Sequence, residues 1–384
     1  MSFVLYFLPF LVDFIMGGAA IAVSLFAIFL GASPLMLGVL GFFPGIVYIS
    51  LCFLFGKLSE TWSRKNLVGL GLFFYILSSL ILCLSSRIYQ LCLSMLLIGV
   101  GAAMFWPTME AWVAEREEKR HLAHKMGLFN ASWSIGMVLG PLAGGVLFGI
   151  SRKLPFYFAF FAGWVGFFIL LKAASENFSA KNTTPSSKPF YPEDSIPSSY
   201  LNISRVANFT LWFSLGIVRY IFPKLATNLG MPSYLLGLLM STLFISQTLT
   251  FYGLGLASRW QYSIYALVLF QLFALFGIGI IFGSGSFFLF FLAFVLIGAG
   301  IGMTHSSSLF HSVNTIFQRG PRVAIHETVL GTGALLGPLM GGIVAQHLGL
   351  RAPYLMACAV IGAGIIIEIF IKKLHRQKKK NIKF

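Results

Sequence analysis

Charged residues are scarce in this chain, and acidic residues are scarcer than basic ones. Only 10% of the 384 residues are charged, whereas about a quarter are charged in a typical soluble domain. Asp and Glu together number 11, against 27 Lys and Arg. Hydrophobic residues make up 58% of the chain. This composition excludes an ordinary soluble globular domain and predicts an integral membrane protein.

Motifs typical of enzymes and of cofactor or metal sites are also lacking. The four cysteines, Cys52, Cys83, Cys92 and Cys358, all lie in apolar runs, so we expect small buried side chains and no disulfide framework or metal site. The sequence has no Gly-Lys-Ser/Thr phosphate loop, which argues against ATP-driven transport. It shows no catalytic arrangement. We therefore expect no enzymatic activity and no cofactor.

What the sequence does contain is a series of apolar runs of about 20 residues, the length that crosses a bilayer as a helix. Helices are expected because unsatisfied backbone groups are costly in hydrocarbon. The first run has no basic leader and no small-residue cleavage site, so we predict a retained helix and not a signal peptide. The twelve predicted spans are 3–30, 34–56, 66–85, 88–111, 125–150, 154–174, 205–228, 232–257, 263–283, 287–313, 323–348 and 352–372.

The basic residues are divided unequally between the two sides of these spans. With the N-terminus inside the cell, all but six of the 27 Lys and Arg are cytoplasmic. This bias sets the orientation of multi-pass proteins, so both termini are expected in the cytoplasm. The basic tail is expected to lie against anionic headgroups and not on nucleic acid. The six exceptions are Arg87, Arg152, Lys153, Arg219, Lys224 and Arg351.

A polar segment rich in Pro, Ser and Thr divides the spans six and six and is predicted to be a flexible linker. The two sets of spans are related by a nearly constant offset, since Gly38 matches Gly237 and Gly99 matches Gly298 at 199 residues. Such an offset indicates a duplicated, parallel repeat. The predicted organisation is an N-terminal six-helix half, a cytoplasmic linker, a C-terminal six-helix half and a basic cytoplasmic tail, at 1–174, 175–204, 205–372 and 373–384 respectively.

One stretch occurs once in each half. It is Gly-Met-Val-Leu-Gly-Pro-Leu-Ala-Gly-Gly in the fifth span and Gly-Ala-Leu-Leu-Gly-Pro-Leu-Met-Gly-Gly in the eleventh. Glycines at helical spacing let a neighbouring helix approach closely, and the proline removes a backbone hydrogen bond, so that the helix can bend. The predicted packing and pivot residues are Gly136, Gly140, Pro141, Gly144, Gly145, Gly333, Gly337, Pro338, Gly341 and Gly342.

Together these features resemble the major facilitator superfamily of membrane transporters over essentially the whole chain. The loop that starts at Gly56 is similar to the family pattern Gly-x-Leu-Ala-Asp-Arg-x-Gly-Arg-Lys, with Glu60, Thr61 and Ser63 as departures. The Gly-Pro stretch of the fifth span resembles the motif of the antiporter branches. Met95 stands about where many members have an arginine. The resemblance implies an all-α membrane protein of twelve transmembrane helices, in two pseudo-symmetric six-helix halves around a central cavity.

The same resemblance implies a cytoplasmic gate at the loop after the second span. Arg64 would pair with an acid of the fourth span, either Glu110 or Glu115. Glu60 would lie near the positive N-terminal end of the eleventh span. With Gly56, these residues form the predicted gate.

Asp13 is the clearest candidate for chemistry. It lies about ten residues into the first span, ~15 Å along the helix and near the middle of a core of about 30 Å. A carboxylate is costly to keep ionised there, so a reversible proton site is one interpretation. A carboxyl group hydrogen-bonded for packing alone is the alternative.

Two further acids lie in apolar spans. Glu327 is placed about one turn into the eleventh span, where it is either a proton-coupling or gating residue or a solvated helix end. Glu368 is expected at the solvated end of the last span. We therefore predict Asp13 and Glu327 as the proton-coupling residues.

Several polar and aromatic residues are candidates for the substrate cavity. Trp106 and His305 occupy equivalent positions, 199 residues apart, and His305 precedes three serines. His305 is alternatively a hydrogen-bonded core residue. Arg219 either snorkels toward the outer surface or meets an anionic substrate or Asp13. The predicted cavity residues are Trp106, His305, Ser306, Arg219, Asn130, Trp133, Tyr48 and Gln247.

Asp13 and the antiporter-like stretch predict a secondary transporter that works by alternating access and exports a small amphipathic molecule in exchange for protons. Uptake of a polar or anionic metabolite is the alternative suggested by Arg219 and His305. A non-transporting sensor or scaffold on the same fold is a third hypothesis. The expected partners are a small-molecule substrate, the proton and membrane lipids, with no nucleic acid. We expect a monomer in the bacterial inner (plasma) membrane.

Overall fold

The chain folds into twelve α-helices within the residues that the computed structural model describes, which are 2–116, 119–172, 198–257, 259–313 and 319–381. The helices are α1 Ser2–Phe29, α2 Pro34–Thr61, α3 Arg64–Leu84, α4 Ile88–Arg116, α5 Lys119–Ile150, α6 Leu154–Lys172, α7 Ser198–Asn228, α8 Ser233–Leu256, α9 Ile264–Gly283, α10 Phe287–Val313, α11 Arg319–Leu348 and α12 Ala352–Asn381.

Eleven of these helices are long and apolar enough to cross a membrane. The exception in the described residues is α7, whose apolar pattern is interrupted by polar and basic residues such as Asn208, Arg219 and Lys224. The prediction of an all-α membrane protein with twelve helices is confirmed.

Several helices are longer than the predicted spans. α7 begins at Ser198, so residues 198–204 are helical although they were assigned to the linker. α12 continues to Asn381 instead of ending at 372. Lys, Arg and Gln are good helix formers, and neither Gly nor Pro interrupts this segment, so the helix continues beyond the apolar run. Most of the predicted linker, residues 175–197, lies outside the described part of the structure.

The turns after α1 and α7 have the same construction. Gly31 ends α1 with a φ of 83°, and the N–H of Ala32 donates to the carbonyl of Ala27. The same arrangement recurs at Gly230, with a φ of 76°, and at Met231. Glycine suits this position because it adopts the left-handed conformation without steric cost. The hydrogen bond of each turn caps one of the last carbonyls of the helix. The turns lie 199 residues apart, the offset of the predicted repeat.

The helices belong to two compact units. The first contains α1–α6 together with residues 218–244 and 338–350, and the second contains the described residues of 180–217, 245–337 and 351–384. In the first unit α1 packs along α5, and α3 packs against α4 and α6. In the second, α9 packs against α10 and α12. The division at 174 and 205 into two sequential halves remains a prediction.

The close packing of α1 against α5 explains three of the predicted packing glycines. A side chain at Gly136, Gly140 or Gly144 would collide with a backbone carbonyl oxygen of α1. The Ser132 hydroxyl, one turn earlier, donates to the carbonyl of Tyr6. The bare face of α5 therefore lets the backbone of α1 lie directly on it. The carbonyls that face the three glycines belong to Phe10, Phe14 and Gly18.

Candidate functional site

In the first unit, Asp13 lies against the glycine side of α5 and within electrostatic range of a guanidinium group. A Cβ added to Gly136 would lie 3.1 Å from the Cβ of Asp13, so the backbone of α5 backs this residue. Arg219 of α7 is close enough to interact with Asp13 electrostatically. Both side chains are half-buried. The structure thus brings together two residues that lie 206 positions apart in the sequence.

Arg219 is held beside apolar groups. One of its terminal nitrogens lies 4.0 Å from the sulfur of Met137 in α5. Its guanidinium carbon lies 5.6 Å from the centre of the Phe244 ring in α8. A guanidinium over an aromatic face is stabilised by the ring quadrupole. These contacts hold the Arg219 side chain against α5 and α8. Its electrostatic partner is Asp13 of α1.

Tyr75 and Trp106 complete this site. Tyr75 of α3 is buried and lies near Trp106 of α4 and within electrostatic range of Asp13. Trp106 also meets the ring of Phe129 edge-on, at 6.4 Å between centroids. Tyr75 was not predicted from the sequence, although it is the one phenol of its apolar span.

The other predicted cavity residues of the first unit lie on α5 and α2. The Trp133 indole N–H donates to the side-chain oxygen of Asn130 at 3.1 Å, so these two residues pair with each other one turn apart on α5. Asn130 is exposed and Trp133 half-buried. Tyr48 is half-buried on α2. Their assignment to the cavity remains a prediction.

In the second unit, two histidines pack against each other. The rings of His305 in α10 and His326 in α11 are 5.1 Å apart, centroid to centroid, and meet edge-on at an interplanar angle of 65°. His305 also lies 6.1 Å from the Trp212 ring and 5.6 Å from the Phe251 ring. His326 was missed in the sequence, although it stands beside Glu327 in a polar run of an otherwise apolar span.

His326 makes one hydrogen bond and one longer polar contact. Its Nδ1 lies 2.8 Å from the Ser308 hydroxyl, and its Nε2 lies 3.9 Å from a carboxyl oxygen of Glu327. The His326 side chain is fully buried, whereas that of Glu327 is 47% exposed. Glu327 therefore lies at the accessible edge of a buried polar group, about two turns into α11 and not one. Of the remaining predicted residues, Ser306 is half-buried and Gln247 is buried.

The expectation for Glu368 was wrong. Its side chain is fully buried and not a solvated helix end. The amide nitrogen of Gln271 in α9 donates to one of its carboxyl oxygens at 2.9 Å. The error arose because depth along α12 was read without knowing that a polar partner faces the helix from α9.

The predicted cytoplasmic gate is described only in part. Arg64 is buried at the first position of α3, Gly56 is half-buried, and Glu110 is exposed on α4. The side chains of Glu60 and Glu115 lie outside the described part of the structure. Pairing of Arg64 with an acid of α4 remains a prediction.

The second Gly-Pro stretch touches a different helix at each end. In the second unit, Gly333 and Gly337 face the backbone of Phe209 and Phe213 in α7. In the first unit, Pro338 and Gly342 face Gly38 of α2, while Gly341 is buried. Among the described residues, no group of three His, Cys, Asp or Glu side chains is placed to hold a metal ion.

Comparison with known proteins agrees with this architecture. The Major Facilitator Superfamily profile matches residues 5–317 and 206–384. The chain is 24% identical over 342 residues to the quinolone resistance protein NorA of Staphylococcus aureus, covering 85% of this chain and 84% of that protein. It is 25% identical over 336 residues to the uncharacterized MFS-type transporter MJ1560 of Methanocaldococcus jannaschii, covering 83% and 84%.

Solved structures show the same fold at low identity. A peptide transporter, POT, superposes with a TM-score of 0.76 at 15% identity, covering 98% of this chain and 94% of that one. The nucleoside transporter NupG gives a TM-score of 0.74 at 14% identity, covering 97% and 99%. With the profile matching most of its length, and with twelve helices arranged as in these transporters, the chain belongs to the major facilitator superfamily and is a membrane transporter, not an enzyme.

Proposed function

We propose that this protein exports a small amphipathic molecule in exchange for protons, by alternating access. The observation that carries the proposal is the half-buried carboxyl group of Asp13 within electrostatic range of the Arg219 guanidinium, which lies over the Phe244 ring. A carboxyl group at membrane depth binds a proton reversibly more readily than one in water, because the charged form is poorly solvated.

Arg219 links the protonation state of Asp13 to the binding of cargo. When Asp13 is ionised, the two opposite charges attract strongly in a medium of low dielectric constant. When Asp13 takes up a proton, that attraction is lost and Arg219 becomes available to an anionic group. When Asp13 releases the proton, its carboxylate can instead accept a cationic group. Proton and cargo then compete for one site, which is the requirement for exchange.

The composition of the site supports a flat aromatic cargo. Tyr75, Trp106 and Phe244 supply aromatic surface, which stacks on planar rings. Arg219 suits a carboxylate, and Asp13 suits an amine. A quinolone carries an aromatic ring system, a carboxylate and commonly a basic amine. The names of two relatives support this class: the quinolone resistance protein NorA, and multidrug resistance protein 2 of Bacillus subtilis, which is 35% identical over 104 residues and covers 27% of this chain and 26% of that protein.

Uptake of an anionic metabolite is the second candidate, favoured by the position of Arg219 in the site. The similarity to peptide and nucleoside transporters supports the fold only, since identity is 15% and 14%. The two candidates differ in direction. An exporter accumulates its cargo in inside-out vesicles whose interior is acidic, and a proton-coupled importer does not.

We predict that Asp13→Asn abolishes accumulation driven by a pH gradient and impairs exchange less. The amide has nearly the size of the carboxyl group but cannot release a proton. Exchange of labelled for unlabelled cargo need not return an empty, deprotonated carrier, so it should persist. The measurement is uptake of a fluorescent quinolone by proteoliposomes, with and without an acidic interior, for the wild type and the variant.

Asp194→Asn is the matched control, because it makes the same chemical change in the linker outside the predicted spans. It should behave as the wild type does. Undiminished accumulation by Asp13→Asn would remove Asp13 as the coupling residue. A wild type that accumulates an anionic metabolite only from an acidic exterior would establish the uptake alternative.

A further inference from the structure

The histidine pair of the second unit has a chemistry that the Asp13 site does not use. His326 is fully buried, yet its Nε2 makes no hydrogen bond within the described structure. Buried polar atoms are nearly always hydrogen-bonded, so an exception needs a reason. This nitrogen lies 3.9 Å from a carboxyl oxygen of Glu327, a distance longer than a hydrogen bond.

Ser308 determines which nitrogen of His326 can react. A neutral imidazole has one N–H and one lone pair, and the partner of one nitrogen sets the role of the other. If the Nδ1–H donates to the Ser308 hydroxyl, 2.8 Å away, then Nε2 carries the lone pair. That lone pair would face the carboxyl group of Glu327. A small rotation of the exposed Glu327 side chain would close the remaining gap.

We propose that His326 and Glu327 hold one proton between them and form a second proton-binding site, with Ser308 as a positioning residue. The proton leaves the Glu327 carboxyl oxygen and bonds to the lone pair of His326 Nε2. The products are a carboxylate and an imidazolium that attract each other, and the reverse step restores the neutral pair. This inference rests on the proposed proton coupling and adds His326 and Ser308 to it.

The groups around His326 disfavour a lasting positive charge on its imidazole ring. Arg205 of α7 and His305 of α10 both act on His326 electrostatically. A guanidinium nitrogen of Arg205 donates to the backbone carbonyl of Arg322 in α11, at 3.3 Å. A positive charge on His326 is therefore opposed by Arg205, and among the described side chains Glu327 is the acid that supports it. The proton is held while Glu327 is near and is lost when the carboxyl group moves away.

The packing favours a proton over a larger ligand. The His305 and His326 rings are in contact, edge to face, at 5.1 Å between centroids. No organic molecule fits between rings at this separation, whereas a proton needs no space. Glu327, with 47% of its side chain exposed, connects the buried imidazole to the surface of the described structure.

Ring-nitrogen NMR tests the tautomer without any substrate. The protein is labelled with ¹⁵N-histidine and measured in liposomes, and the His326 signals are assigned by their loss in His326→Gln. We expect the Nδ1–H form in the wild type, a changed tautomer ratio in Ser308→Ala, and a shifted Nε2 signal in Glu327→Gln. An Nε2–H form in the wild type, or no response to Glu327→Gln, would overturn the proposal.

Transport measurements test the role of the shared proton. His326→Gln should lower pH-driven accumulation of the fluorescent quinolone at least about tenfold, since loss of a positioned proton acceptor has effects of this size or larger. Exchange without a gradient should stay within about twofold, because a group used only for proton transfer does not set cargo binding. The control is His347→Gln, which replaces an exposed histidine of the same helix.

The outcomes separate this inference from the proposed function. If the wild type accumulates the quinolone and His326→Gln does so equally well, the second proton site is wrong and the export proposal stands. If the wild type shows no pH-driven transport in either direction, the export proposal and the coupling role of His326 both fail. The tautomer result then still decides whether Glu327 and His326 share a proton.

Discussion

At the scale of single residues, Glu368 and Gln271 form a buried polar contact between α12 and α9. One carboxyl oxygen accepts from the Gln271 amide nitrogen at 2.9 Å. The other carboxyl oxygen and the Gln271 side-chain oxygen are both buried without a hydrogen-bond partner in the described structure. A proton on Glu368 would supply the missing donor and remove a buried charge. Lys372, one turn further, instead lies over the Tyr265 ring at 4.7 Å.

We predict that Glu368→Gln leaves stability nearly unchanged, whereas Glu368→Ala lowers it by about 1–3 kcal/mol. The amide can donate and accept as a protonated carboxyl group does, but alanine leaves Gln271 buried without a partner. Gln271→Ala should be as harmful as Glu368→Ala. Thermal unfolding of the purified proteins in detergent, followed by tryptophan fluorescence, measures the relative stability of these variants. If Glu368→Gln is as unstable as Glu368→Ala, the carboxyl group is ionised in the folded protein.

At the scale of helices, two crossings in the first unit are built in the same way. α5 crosses α8 where Gly145 meets Gly237, and a Cβ on Gly145 would lie 3.0 Å from the Cα of Gly237. α11 crosses α2 where Gly342 meets Gly38, and a Cβ on Gly342 would again lie 3.0 Å from the opposite Cα. Both crossings follow a Gly-Pro pair, so a helix that can bend meets its neighbour backbone to backbone.

We predict that Gly145→Ala and Gly342→Ala each destabilise the protein by roughly 1–3 kcal/mol, because the added methyl group forces the backbones apart. Gly279→Ala and Gly362→Ala are the matched controls, since nothing lies within 4 Å of a Cβ at either position. Alanine there should be neutral or stabilising by up to about 1 kcal/mol. Thermal unfolding of the four variants gives the comparison. Equal melting temperatures for tests and controls would show that the crossings are not tight.

At the scale of the whole molecule, we propose the plasma membrane as the location, with both ends of the chain in the cytoplasm. A reporter enzyme that is active only inside the cell should therefore be active when fused at Lys181 and after Lys380. The basis is the excess of basic residues on one side of the predicted spans. A reporter active only outside the cell, fused at Gly230, should also be active. An extracytoplasmic signal at Lys181 or Lys380 would refute a twelve-span topology.

The apolar pattern of the chain determined most of the architecture without reference to any contact. Runs of about 20 apolar residues can only be helices in a membrane, so the number of helices was readable from the sequence. The cost of a buried charge singled out Asp13 by its depth alone. The Gly-Pro stretches identified the helix faces that pack most closely, since only glycine permits backbone contact.

Which side chains face one another was decided by the tertiary structure alone. Arg219 could be read as a residue that snorkels or as a partner of Asp13, and the packing of α7 beside α1 and α5 places it near Asp13. His326 stands out as a candidate only because His305 and Ser308 of α10 contact it. Glu368 is buried and has a polar partner because Gln271 approaches it from α9. Depth in the membrane follows from position along one helix, but a partner across an interface depends on how two helices are rotated about their axes, which the sequence of either helix does not specify.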